Sequence, residues 1–182
     1  MRLLEAAAYG LARAAGWLAS AATLLCLLLV CASVAARYVF AAPLGWGDKV
    51  AGWLVVALVL LAAPEAQRRF EHIGVDVAVG RIGPRLARWA HLLGAVSVAL
   101  VAAILLSAGI EAVQFSRMIG MMTDVEGVPE WWIQALLPVG AALLLLVALA
   151  QATELAVGRE TPHLPRGDAE EALDADKVAR AE

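Results

Sequence analysis

The stretch Arg68-Arg69-Phe70-Glu71-His72-Ile73-Gly74-Val75-Asp76 gathers nearly every residue type that catalysis or metal binding would need. A histidine flanked by two acids could hold a cation or move a proton. The arginines could hold an anion. A metal site needs three or four ligands at suitable spacing, and Glu71, His72 and Asp76 have no cysteine or second histidine beside them. The chain has three histidines, His72, His91 and His163, and only His91 lies in an apolar run, near its end. A b-type haem between two spans would need paired axial ligands. No CxxC, HExxH, nucleophile elbow or phosphate loop occurs. The expectation is a protein with no catalytic residue, no cofactor and no metal.

The elements that must position this cluster are apolar. The 182 residues are 62% hydrophobic and 17% charged, against about 25% charged in a soluble domain. So much Leu, Ala and Val cannot be hidden in one soluble core of this size, which points to a membrane protein. Cys26 and Cys31 sit within one apolar run and read as small packing residues. The net charge of −3 says little, because acids crowd the last stretch of chain.

Three runs without a formal charge, 14–36, 89–110 and 131–153, each reach the ~20 residues that a membrane helix needs. A fourth, 50–64, becomes long enough if it starts near Trp46, with Asp48 and Lys49 at the interface. A re-entrant segment is the alternative there. The first run is too long for a signal-peptide core and is expected to be retained. The predicted fold is therefore an all-α membrane protein of four transmembrane helices, about 14–38, 46–65, 86–111 and 131–156. Residues 1–158 form the membrane domain, and 159–182 form an acidic, disordered tail.

Arginine and lysine set the orientation. Arg68, Arg69, Arg81, Arg85 and Arg88 lie in or beside the second connection, whereas the third holds Asp124, Glu126 and Glu130. The second connection is expected in the cytoplasm, together with both termini. Trp17 and Trp89 then mark the inner interface, and Tyr38, Trp46, Trp131 and Trp132 the outer one. The alternation of Ile73, Val75, Val77 and Val79 would suggest a strand in a soluble protein. A lone strand beside a bilayer leaves its backbone unpaired, so a short interfacial helix is expected between the second and third spans.

The span centres hold no acid, base, Asn or Gln. A transporter core shows broken helices or polar groups at that depth, so an accessory or scaffold subunit is favoured over an independent pathway. Ala95, Ala99, Ala103 and Ser107 recur every four residues, and Glu111 continues the row. Small residues on one face let helix backbones approach in lipid. Pro138 and Gly140 suggest a kink or a close contact. Arg37 either snorkels to the outer headgroups or pairs with Asp48 across the Ala42-Pro43-Leu44-Gly45 turn.

Three motifs in order resemble a known family. They are RYVFAAPLGWGDKVAGWL at 37–54, RRFEHIGVD at 68–76 and VPEWWIQALLPVG at 128–140. The chain, from about Leu18 to Val157, resembles the small membrane subunit, DctQ, of tripartite ATP-independent periplasmic (TRAP) transporters. Members carry an Arg-Tyr-x-Phe span end, a Pro-Leu-x-Trp turn, a His-Ile-x-Val-Asp segment and a Leu-Pro-x-Gly in the last span. Two features depart from that pattern: Asp48 is followed by Lys49 where two acids are usual, and Pro64 stands near the end of span two.

The resemblance implies a bacterial inner-membrane subunit, neither an enzyme nor a binder of nucleic acid. Its partners would be the lipid bilayer, a large elevator-type membrane subunit that carries the transport sites, and a periplasmic solute-binding protein. Together they would take up an organic acid with sodium. The alternatives are a small subunit of a tripartite tricarboxylate-type carrier and a membrane redox subunit. In the same resemblance, His72 and Asp76 cap or pin the segment that leads into span three. The subunit would also offer part of the outer docking surface.

Overall fold

Helix formation here follows from long apolar runs with few breakers. In the computed structural model, residues 2–42, 44–69 and 84–157 are described. They form α1 (Arg2–Val39), α2 (Gly47–Arg68), α3 (Pro84–Ile119), α4 (Glu130–Gln134) and α5 (Leu136–Val157). Four helices are long and apolar enough to cross a membrane, with α4 and α5 counted as one span, Glu130–Val157. The acidic segment 159–182 and the expected interfacial helix, with His72 and Asp76, lie outside the described residues.

The first and third helices are longer than their uncharged runs. At ~1.5 Å per residue, helices of 38 and 36 residues outreach a hydrocarbon core of ~30 Å. Helix α3 continues through residues 112–119, beyond the expected 86–111 span, because nothing between Ile110 and Ile119 breaks it. It stops at Gly120, whose φ of 70° is left-handed. There the Ser116 carbonyl accepts the N–H groups of both Gly120 and Met121, at 3.0 and 3.1 Å, a glycine-terminated helix end. Helix α1 ends without a glycine: Ala41 itself takes the left-handed conformation, at φ 51°.

Helices α1 and α2 form an antiparallel hairpin, and α3 packs along α5. Helix α5 also contacts α1 and α2, so it is the shared centre of the bundle. Its sequence explains the position, since an apolar helix with no polar stripe can be covered on several sides.

Small residues line the seams. On α1, Ala8, Ala12, Ala15 and Ala19 are buried, Ala22, Cys26 and Leu29 are half-buried, and Ser33 is buried again. Steps of four and three alternate, the period of two helices wound on each other. The seam of α3 runs through His91, Ala95, Ala99, Ala102, Gly109 and Ser116, all buried, with steps of four, four and three and then whole heptads. The every-fourth-residue row therefore divides. Ala95 and Ala99 face α5's side, whereas Ala103, Ser107 and Glu111 are exposed. A step of four residues overshoots a full turn by about 40°, so such a row walks off the seam. Alternating fours and threes drift by only ~20° per heptad.

Candidate functional site

The polar side chains gather at the two ends of the bundle, and glycine–proline contacts close its middle.

At the end where α1 meets α2, Asp48 in the first turn of α2 receives two donors from α1. Arg37 Nη2 lies 3.1 Å from Asp48 Oδ2, and Ser33 Oγ donates to Asp48 Oδ1 at 3.3 Å. Gly47 permits this approach: a Cβ there would stand 3.3 Å from Ser33 Oγ. The acid also sits at the helix end that favours negative charge. The neighbouring Lys49 pairs with Asp124 in the connection between α3 and α4. This ties that connection to α2.

The connection is itself ordered. Thr123 Oγ1 donates toward the carbonyls of Val125 and Val128, at 3.1 and 2.9 Å, and the Thr123 N–H reaches the Val128 carbonyl at 3.0 Å. Ser116 Oγ donates to Gln134 Oε1 at 2.6 Å, which joins the end of α3 to α4. The Arg117 guanidinium lies 5.0 Å from the Trp131 ring centre, within cation–π range. Trp131 and Trp132 meet edge to face at 5.9 Å. Trp132, Phe115, Met118 and Met122 are all exposed, so this end of the bundle carries large apolar side chains as well as the polar knot.

At the opposite end, Glu65 accepts from Arg68 Nε and Nη2 at 2.7 and 2.6 Å, and from Arg69 Nε at 2.8 Å. Gly16 lets this acid lie against α1, since a Cβ there would meet Glu65 Cγ at 2.9 Å. Gln67 Nε2 donates to Gln151 Oε1 at 2.7 Å. Gln151 Nε2 donates in turn to the main-chain carbonyls of Gln67, at 2.7 Å, and Arg68, at 3.3 Å. Both carbonyls lie in the last turn of α2, so a side chain of α5 bonds the end of α2. Tyr9 Oη donates to Glu154 Oε2 at 2.7 Å and binds α1 to α5 at the same level.

Between these ends, two prolines open the backbone ladder and two glycines fill the gap. Pro64 has no N–H for the Leu60 carbonyl. Gly140 packs there, where a Cβ would come within 2.9 Å of Leu60 O and 2.8 Å of Leu60 Cβ. Pro138 has no N–H for the Gln134 carbonyl, and the helix is interrupted at Ala135, between α4 and α5. Gly109 of α3 packs against Pro138, with 2.9 Å between a hypothetical Cβ and Pro138 Cδ. Pro64, unexpected from the motif pattern, is thus the partner feature of Gly140.

Of the residues singled out in the sequence, Arg37 and Asp48 come together, as do Trp131 and Trp132. Pro138 and Gly140 each meet another helix. The sequence reading missed Lys49–Asp124, Gln67–Gln151, Tyr9–Glu154 and the triad around Glu65. The four-three spacing of small residues along α1 was the one signal in the sequence for its buried face.

Residues 26–158 match the family model described as the DctQ component of tripartite ATP-independent periplasmic transporters. The chain is also similar to the C4-dicarboxylate TRAP transporter small permease protein DctQ of Vibrio cholerae serotype O1. The two are 28% identical over 178 residues, covering 85% of this chain and 76% of that protein.

Proposed function

The chain belongs to the DctQ family of tripartite ATP-independent periplasmic transporter components, and from that premise we propose that it is the stationary scaffold of its transporter. It is a multi-pass membrane protein and a transporter component. In this reading it lies in the bacterial cytoplasmic membrane with its arginine-rich end and both termini inside. It holds the large permease subunit in place while that subunit moves solute and sodium. Its outer knot offers part of the surface on which the solute-binding protein docks.

One observation carries the reading: the four helices are locked together at both ends and at mid-depth. Gly140 on Leu60 and Gly109 on Pro138 leave no slack between α2, α5 and α3, and buried side-chain bonds fix α5 to α1 and α2. Such packing suits a body against which another subunit slides. The relative's name, a C4-dicarboxylate transporter component, supports a small organic acid as the solute.

The test is co-expression of the tagged chain with its large permease subunit, followed by extraction in mild detergent. The two should purify together, and with the binding protein they should take up a C4-dicarboxylate into proteoliposomes only under an inward sodium gradient. Recovery of the tagged chain alone, with the large subunit well expressed, would defeat the scaffold role. Uptake indifferent to sodium would remove the coupling.

A further inference from the structure

We propose that the groove between α1 and α2 binds one anionic phospholipid, its phosphate held at the arginine end and an acyl chain lying along the floor. The groove has a volume of about 690 Å³ and is lined, among the described residues, by α1, α2 and Arg69 just beyond α2.

Its mouth is cationic. Arg13, Arg68 and Arg69 line it with one carboxylate, Glu65. Glu65 is shared by Arg68 and Arg69, and Arg13 forms no ion pair among the described residues. Arg13 thus brings to the mouth a guanidinium that no carboxylate among the described residues pairs, and arginine is the side chain best shaped for phosphate. Trp17, 74% exposed, stands beside the mouth, the depth that tryptophan favours in a bilayer.

The floor is apolar and has the length of one leaflet. From Arg13 to Thr23 the groove follows α1 for ten residues, about 15 Å at helical rise. That is half of a ~30 Å hydrocarbon core. Ala19, Ser20, Thr23, Leu58 and Ala62 line this depth, and the Ser20 and Thr23 hydroxyls are turned to the Gly16 and Ala19 carbonyls of their own helix. A free phosphate would use only the mouth, whereas a lipid uses mouth and floor together.

The full-length chain in detergent micelles is titrated with palmitoyl-oleoyl phosphatidylglycerol, with the phosphatidylcholine of the same chains, and with inorganic phosphate. Bound lipid is counted by native mass spectrometry, and monodispersity and helix content verify folding of each variant. Phosphatidylglycerol should bind as one molecule, at least about tenfold more tightly than phosphatidylcholine, and phosphate should not displace it. R13Q/R69Q, which changes two exposed side chains, should reduce that preference about tenfold. S20F, which fills the groove and keeps every charge, should also lose the lipid, while R117Q at the other end of the bundle should not. Equal binding of the two lipids, unaltered binding by R13Q/R69Q, or displacement by phosphate would each overturn the site. Retention of phosphatidylglycerol by S20F would reduce it to surface charge alone and overturn it too.

Discussion

The side-chain amide of Gln151, on α5, donates to the main-chain carbonyl of Gln67 at the end of α2, at 2.7 Å and fully buried. A side chain of one helix therefore bonds the main chain at the end of another. The bond joins residues 84 positions apart, and the return bond from Gln67 Nε2 closes the pair.

Replacing Gln151 with leucine should lower stability by about 1–3 kcal/mol, the cost of leaving buried polar groups unpaired. The double variant Q67L/Q151L should recover only part of this, because the Gln67 and Arg68 carbonyls still lose the Gln151 amide. Thermal unfolding in detergent measures both. Full recovery in the double variant would mean that the side-chain pair, and not the cap, matters.

Glycine substitutions should divide by position. G140A places a Cβ 2.9 Å from the Leu60 carbonyl oxygen, and should destabilise by about 1–3 kcal/mol through overpacking. G94A, in α3, meets nothing within 4 Å and should be neutral or stabilising by up to about 1 kcal/mol. Equal effects would refute the close contact between α2 and α5.

The Arg37–Asp48 pair should matter for geometry more than for stability. The side chains are 52% and 71% exposed, so the pair should contribute no more than ~1 kcal/mol. R37Q and D48N should each reduce complex yield, and exchange of the two charges should restore part of it. D48N should be the more harmful, since Asp48 also receives Ser33. Equal tolerance of all three variants would reduce Arg37 to a side chain reaching for headgroups.

Ala41 carries backbone strain at φ 51°. A left-handed conformation costs a non-glycine residue ~1–2 kcal/mol, so A41G should raise the unfolding temperature. A decrease would show that the Ala41 side chain contributes more than its strain costs.

Much of this architecture was legible in the chain because it is local. An uncharged run of about 20 residues identifies a span wherever it occurs, and Pro138 and Gly140 stood out as a kink or a close contact. The motifs at 37–54 and 128–140 likewise brought Arg37, Asp48, Trp131 and Pro138 into view. What escaped was long-range. Lys49 looked like a departure from a pattern until Asp124, from a distant connection, came beside it. Gln67 and Gln151 stand in no pattern that either segment shows by itself.

The sequence by itself determined that the chain crosses a membrane, how many helices do so, and which end carries the positive charge. Hydrophobicity and charge act on each segment alone, against lipid and water. Only the tertiary structure decided that α5 is the central helix, that the small-residue seam of α3 passes through Ala102 and Gly109 rather than Ala103 and Ser107, and that Gly140 fills the place opened by Pro64. In lipid an apolar face gains little by choosing one apolar neighbour over another. Partner choice therefore rests on close fit and a few polar bonds, and these exist only once the helices have met.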